Sequence, residues 1–243
     1  MRALGVMSAA VVGLMLMGSA REMRADTVFS NFGSGQTYNG NSWWITGAVP
    51  PPPTNTNVEV NAFPFVAATT ATVTGADLAL SGLSIPTAAV GPAPVTVYIE
   101  SNSGAGQPGT ILDTLTQVGS IPIYPVTSVL NFTCSGTCTT LDAGTTYWIV
   151  DQETVAADTA YWMWNITGDV GTWYYNYADS ATGPWSTATS TLANGNTFGA
   201  FDVTGTASPI PEPGTVLLLG SGLLLVGFLE ARRRAWLANH GDR

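Results

Sequence analysis

Basic side chains are missing from most of this sequence. The chain has no lysine, and the stretch between Arg24 and Arg232 contains no arginine and no histidine, while it carries about a dozen carboxylates. Because nothing in this stretch can neutralise phosphate, binding to nucleic acid or to anionic lipid is disfavoured. Salt bridges are excluded there too, so stability has to come from apolar burial and backbone hydrogen bonds.

The absence of histidine also limits the available chemistry. The single histidine is His240, near the C-terminus, so Ser-His-Asp or Cys-His hydrolysis lacks its general base. Paired carboxylates would suffice for a glycan hydrolase, and Asp151, Glu153 and Asp158 cluster near the end of a predicted strand. We interpret them as solvated loop carboxylates, with a structural calcium site as the alternative, because Ca²⁺ prefers oxygen ligands. The sequence predicts no catalytic residue, no other metal site and no enzymatic activity.

Cysteine is scarce as well. Cys134 and Cys138 are the only two, and in an exported chain this spacing predicts a local disulfide. A loop this short should add about 2 kcal/mol or somewhat less. Zinc coordination is disfavoured because the surrounding stretch supplies no further cysteine or histidine.

Helical periodicity is hard to find between residues 26 and 207. Short β-rich segments alternate there with Gly, Pro, Asn and Ser, which indicates an antiparallel β-sandwich or jelly-roll-like domain. In one segment Val95, Val97 and Ile99 share a side, as in a strand with one buried face. The predicted strands cover residues 27–32, 43–46, 58–66, 71–80, 95–100, 111–118, 126–132, 145–150, 161–165, 171–177 and 198–203.

Aromatic residues are concentrated in two of these segments. On adjacent strands, Trp162, Trp164 and Trp173 could form a platform for sugar rings, which would make the domain a carbohydrate-binding module. The competing interpretation is that these rings fill the core of a domain without salt bridges. Rows of threonine suggest ice binding only remotely, because their spacing is irregular.

The N-terminus is typical of a secretory signal peptide. Arg2 precedes an apolar run, and small residues follow it at positions 18–20. Cleavage is expected after Ala20 or Ala25, which assigns residues 1–25 to the signal peptide.

The C-terminus combines three features in a fixed order. Pro211-Glu212-Pro213 precedes an apolar run over residues 216–229, and Arg232, Arg233 and Arg234 follow it. The run is about 14 residues long, where a membrane-spanning helix needs roughly 20. A short hydrophobic transmembrane helix would therefore hold the chain only weakly, with the arginines as a cytoplasmic stop.

This arrangement resembles the PEP-CTERM sorting signal of Gram-negative bacteria. The resemblance implies recognition by an exosortase after transient anchoring in the inner membrane, then delivery to the cell surface or extracellular matrix. The signal would cover residues 208–235, and residues 236–243 would form a cytoplasmic tail.

The body resembles a second family, the choice-of-anchor R domain. The similarity rests on three segments: residues 27–33, residues 95–100 followed by 106–112, and residues 141–150. It implies a β-rich exported ectodomain and brings no catalytic residues. Together these features predict a non-enzymatic protein of the surface, biofilm or exopolysaccharide matrix, with no cofactor beyond the calcium alternative.

Overall fold

The structure is a computed structural model that describes five stretches of the body and part of a C-terminal helix. The described stretches are residues 26–46, 59–83, 94–153, 159–177 and 180–207, and the helical residues 222–224, 226–234 and 236. The chain divides into two compact units, Met1–Ala207 and Ser208–Arg243. The predicted signal peptide, the Pro211-Glu212-Pro213 motif, Asp158 and the C-terminal tail beyond residue 236 lie outside the described residues.

The described body is an all-β, mostly antiparallel domain. All of its strands belong to one continuous sheet. A single turn of 3-10 helix, Leu192–Asn194, lies between β12 and β13 in the chain. The strands are β1 (Asp26–Ser30), β2 (Ser42–Thr46), β3 (Val60–Val66), β4 (Ala71–Leu83), β5 (Val95–Asn102), β6 (Pro108–Val118), β7 (Ser128–Cys134), β8 (Thr140–Leu141), β9 (Thr146–Glu153), β10 (Thr159–Met163), β11 (Thr172–Asn176), β12 (Ser186–Thr189) and β13 (Phe201–Ala207).

The sequence-based prediction of an all-β domain is confirmed. Each of the eleven predicted segments overlaps an observed strand, and the bounds differ by a few residues. The prediction missed β8 and β12, which are two and four residues long. Both are too short to show alternation, and β12 is made only of small residues, so neither gives a periodic signal.

The longest strand, β4, organises the sheet. Its residues Ala71 to Leu78 pair with β13, and Leu80 to Leu83 pair with β10 along the same edge. The opposite edge pairs with β8 and then with β7. From β7 the sheet continues through β6, β5, β9, β3, β11 and β12.

The sheet curls until its two branches meet. Strand β2 pairs with β10, and Thr46 at the end of β2 bridges to Glu59, just before β3. The two backbone N–H···O distances of this bridge are 3.3 and 3.0 Å. The curled sheet is therefore sandwich-like, with one layer around β4 and the other around β3 and β9.

The core lies between these two layers. Trp162, Phe63 and Phe201 are fully buried there, and the ring of Trp162 stands edge-on to the other two at centroid distances of 5.0 and 5.8 Å. Val95, Val97 and Ile99 are also buried in this core, which confirms the predicted one-sided strand. Two smaller apolar clusters cover parts of the outer surface, one around Trp148 and Tyr174 and the other around Phe32 and Met163.

The predicted disulfide is confirmed. Cys134 ends β7 and is bonded to Cys138, just before β8, with Cα atoms 6.2 Å apart. The adjoining chain is fixed by Asp113, whose carboxylate accepts hydrogen bonds from the Thr139 N–H at 3.0 and 3.2 Å. The bond therefore fixes the short connection between two strands that both pair with β4.

In the second unit, the described residues form one exposed helix. Glu230 lies near Arg233 and Arg234, with N···O distances of 3.9 and 3.5 Å, and all three side chains are well exposed. Within the described residues, no helix combines the length and apolarity needed to cross a membrane.

Candidate functional site

Trp162, Trp164 and Trp173 do not form an exposed sugar platform, and the competing interpretation, that the rings fill the core, is confirmed for Trp162 and Trp173. Trp162 is 0% exposed and its indole N–H donates to the Ala200 carbonyl at 3.0 Å. Trp173 is 4% exposed and packs against Trp43 with ring centroids 4.6 Å apart. Trp164 is half-buried. Two of the three rings belong to the core, so their faces are unavailable to a ligand.

Aromatic residues on the opposite face of β2 and β10 form an exposed surface instead. Trp44 on β2 and Tyr161 on β10 are directly opposite each other across the antiparallel pair. Their rings are 5.5 Å apart, and the ring of Tyr124 lies 6.0 Å from Tyr161 on its other side. Trp44 is 53% exposed and Tyr124 59%. We refer to Trp44, Tyr161 and Tyr124 as the aromatic row.

Tyr124 reaches this row because its loop is hydrogen-bonded along the end of β4. The Tyr124 N–H donates to the Gly82 carbonyl at 2.7 Å, and the Gly82 N–H donates to the Pro122 carbonyl at 2.7 Å. The buried Ser81 hydroxyl donates to the Val126 carbonyl at 2.7 Å. Since backbone hydrogen bonds hold both sides of the row, the three rings stand on ordered supports.

The described segments that carry the aromatic row, β2, β10 and residues 119–128, are apolar or hydroxylated and contain no charged side chain. Strands β2 and β10 read Ser-Trp-Trp-Ile-Thr and Thr-Ala-Tyr-Trp-Met, and residues 119–128 contain no carboxylate. Ile123 and Val126 flank Tyr124 and are about half exposed. Burial and the neighbouring Tyr124 raise the pKa of Tyr161 above its ordinary value, so the Tyr161 phenol remains a neutral hydrogen-bonding group at physiological pH.

The carboxylates Asp151 and Glu153 are not solvated loop residues, and that interpretation is wrong. Both lie on β9 and are buried, at 0% and 2% exposure. They are paired in register with Val97 and Val95, whose side chains face the core. A pair of carboxylates enclosed in this way cannot reach a glycan, which argues against the hydrolase alternative.

Asp151 is held by Asn61, the neighbouring residue on β3. Its carboxylate accepts hydrogen bonds from the backbone N–H of Asn61 at 2.7 Å and from the Asn61 side-chain amide at 3.2 Å. Burial nevertheless raises the pKa of Asp151 well above its usual value, and nearby Glu59 and Glu153 raise it further. Burial also raises the pKa of Glu59 to about 7. Burial therefore makes the charged form of each carboxyl group less favourable than it is in water.

Metal-ligand groups offer little support for a calcium site. In the part of the chain that the structure describes, one group of three His, Cys, Asp or Glu ligand atoms lies close enough for a shared ion, and it is Asp113 with Cys134 and Cys138. Both sulfurs are already joined in the disulfide. Asp151 and Glu153 join no such group among these residues, and the calcium prediction stays a prediction because Asp158 is outside them.

Among the buried acids that sequence reasoning missed, Glu100 is the most deeply enclosed. Glu100 on β5 is 0% exposed, and neither of its carboxyl oxygens has a hydrogen-bond partner among the described residues. It is paired in register with Trp148 and Ile111, which belong to the outer cluster around Tyr174. Glu100 is on the face of β5 opposite to Val97 and Ile99, so it points away from the main core. It is nevertheless buried, because residues 180–185 pack over the outer cluster through Ala181 and Trp185.

A shallow open depression lies elsewhere on the body. Its lining includes Phe29, Asn31, Thr167 and Asp169. The Asn31 side chain is engaged there with the Gly199 carbonyl and the Phe201 N–H, at 2.9 and 2.8 Å. These bonds join β1 to β13 and to the chain before it, so the polar groups of the depression already have structural roles.

The remaining predicted site residues lie in the C-terminal segment. Arg232, Arg233 and Arg234 are exposed helical residues, whereas Pro211, Glu212 and Pro213 are not among the described residues. No protein-family model matches the chain, and no curated protein matches it.

Proposed function

We propose that the chain is an exported, non-enzymatic component of the cell surface or extracellular matrix of a Gram-negative bacterium. Its C-terminal segment would act as a PEP-CTERM signal that an exosortase recognises at the inner membrane. The exported body would have jelly-roll-like connectivity. The observation that carries the proposal is the placement of the basic residues. All seven arginines lie in residues 1–24 and 232–243, where they would direct export and set topology.

The body has properties that suit life outside the cell. Its disulfide is of a kind that persists in oxidising compartments, and its surface strands are rich in threonine, serine and asparagine. Apolar burial between two sheet layers stabilises it, because residues 26–207 contain no lysine, arginine or histidine for a salt bridge. The carbohydrate-binding alternative built on Trp162, Trp164 and Trp173 is not retained, because two of these rings are in the core.

Intact-mass analysis of the surface-extracted protein tests the sorting proposal. In a bacterium that contains an exosortase, we expect the mature protein to lack the signal peptide and everything after about Pro213. A variant with Pro211→Ala and Glu212→Ala should remain unprocessed, because the recognition motif is gone. Pro209→Ala, just outside the motif, is the matched control and should be processed normally.

Two results would overturn the proposal. One is a surface-extracted wild-type protein whose mass still includes Arg232, Arg233 and Arg234. The other is identical processing of the wild type and the Pro211→Ala, Glu212→Ala variant, since the motif would then have no role.

A further inference from the structure

We propose that the aromatic row of Trp44, Tyr161 and Tyr124 is a binding surface for a single, soluble and electrically neutral polysaccharide chain. Each pyranose ring has an apolar face of C–H groups that packs on the electron-rich face of an aromatic ring. The centroid separations along the row, 5.5 and 6.0 Å, are comparable to the length of one sugar residue in a chain.

The row is ordered before any ligand arrives. Trp44 and Tyr161 occupy facing positions in the ladder between β2 and β10, and β10 is itself paired with β4. Tyr124 is fixed by the hydrogen bonds between its loop and Gly82. Because little backbone freedom remains to be lost, a small contact area can give useful affinity.

The rings also provide hydrogen-bonding groups at their exposed tips. The phenol groups of Tyr161 and Tyr124 can donate and accept, and the indole N–H of Trp44 can donate. Sugar hydroxyls have both functions, so each stacked sugar can also make a polar contact. An exposed aliphatic patch would offer apolar area without these groups.

Charge selects a neutral ligand. No basic side chain occurs between Arg24 and Arg232, and about a dozen carboxylates do. An anionic polysaccharide would find no cation to pair with and would be repelled by the acidic body. A cationic polymer would be attracted to the carboxylates as a whole, but the row itself has no charged side chain to hold it.

The size of the row argues against a protein occupant. Three partly exposed aromatic side chains present on the order of 300–400 Å², because a large aromatic side chain buries roughly 150–250 Å² in full. A stable protein interface uses about 800 Å² on each partner. The row is therefore too small for a second copy of the chain to bind stably through it.

The angles between the rings define the shape of the ligand. Trp44 and Tyr161 are inclined at 81°, and Tyr161 and Tyr124 at 61°, so the row is stepped and not flat. A hydrated chain that twists between successive sugars can follow these steps. The flat face of a crystalline polymer would contact one ring at a time.

Affinity electrophoresis of the full-length protein in mild detergent tests this inference. The probes are soluble β-glucan, xyloglucan, galactomannan and dextran, with alginate as an anionic polymer and microcrystalline cellulose as a flat surface in a separate pull-down. We expect at least one neutral soluble polymer to retard the wild type, with no retardation by alginate and no retention on cellulose. Trp44→Thr, which keeps a β-favouring residue, and Tyr124→Ala should each weaken binding about tenfold.

Tyr177→Ala is the matched control, because Tyr177 is 51% exposed and lies on the segment that follows β11, outside the row. It should bind as the wild type does. The inference fails if no neutral polymer retards the wild type, if Trp44→Thr and Tyr124→Ala both bind normally, or if Tyr177→Ala loses as much affinity as they do. It also fails if the wild type is dimeric and Trp44→Thr monomeric in light scattering, since the row would then be a self-association surface. None of these results depends on whether the C-terminus is processed.

Discussion

At the scale of single residues, the unusual feature is a set of buried acids with no cation to balance them. Burial raises the pKa of Glu100 to about 8, of Glu59 to about 7 and of Asp202 to about 6. In most domains such groups would find a lysine or arginine. Burial favours the protonated form of each group, which avoids the cost of a buried charge, and it does so most strongly for Glu100.

The raised pKa values predict that stability falls as pH increases. The folded state retains protons that the unfolded state releases above about pH 4.5, so this contribution is complete below about pH 4.5 and is lost as pH rises through about 8. Glu100→Gln removes one such group, so the melting temperature should depend less on pH between pH 5 and pH 9. At pH 8.5 we expect the variant to be more stable than the wild type by about 1 kcal/mol or more.

Thermal melts across this pH range provide the measurement. Asp142→Asn is the control, because Asp142 is exposed on the chain between β8 and β9, and it should leave the pH slope unchanged. An unaltered slope in Glu100→Gln would show that Glu100 is charged or solvated in the folded protein.

At the scale of elements, the important fact is which face of β10 is covered. Ala160 and Trp162 face the core, while Tyr161 faces outward beside Trp44. The sequence alternation was correctly interpreted as a strand, but β10 carries aromatic residues on both faces. A local pattern of this kind does not indicate which face the second sheet layer will cover. The predicted platform therefore used residues of the covered face.

The packing of β10 against residues 197–200 is close enough to test by mutation. A Cβ atom added at Gly199 would lie 2.5 to 2.6 Å from three ring atoms of Trp162. That ring is fully buried and hydrogen-bonded to Ala200, so it cannot move aside. Gly199→Ala should therefore lower the free energy of unfolding by about 1–3 kcal/mol.

Urea unfolding followed by fluorescence measures this effect. Gly104→Ala is the matched control, because a Cβ atom there meets nothing within 4 Å, and it should change stability by less than about 0.5 kcal/mol. Equal stability of Gly199→Ala and the wild type would mean that Trp162 is not packed as the structure places it.

At the scale of the whole molecule, the body carries charges of one sign. Among the described residues, the ion pairs involve Glu230 and arginines of the C-terminal helix, and the body has only carboxylates. Like charges repel one another and destabilise a compact chain. Attraction between opposite charges, which salt would weaken, is absent from the body.

Added salt should therefore stabilise the protein. Between 10 mM and 500 mM NaCl at pH 7, screening lengths fall from about 30 Å to a few ångström, and we expect the melting temperature to rise by a few degrees. Choline chloride at equal ionic strength should act in the same way. A melting temperature that falls with salt would contradict this account.

The same measurement tests the calcium prediction. If CaCl₂ stabilises the protein no more than NaCl does at matched ionic strength, the result counts against a calcium site.

Strand pairing is the part of the fold that the sequence could not predict. β13 and β4 are more than a hundred residues apart in the chain, yet they pair over seven positions. The four partners of β4 come from separate parts of the sequence. Periodicity is a local property, whereas pairing depends on which distant segments bury the most apolar surface together.

The sequence by itself determined the all-β character of the body, the approximate positions of its strands and the Cys134–Cys138 disulfide. It also determined that the body has no basic side chain, because composition does not depend on folding. Only the tertiary structure decided that Trp162 is in the core and Trp44 on the surface, and that Glu100 and Asp151 are buried. Alternation gives each strand two faces, and long-range packing chooses which of them meets water.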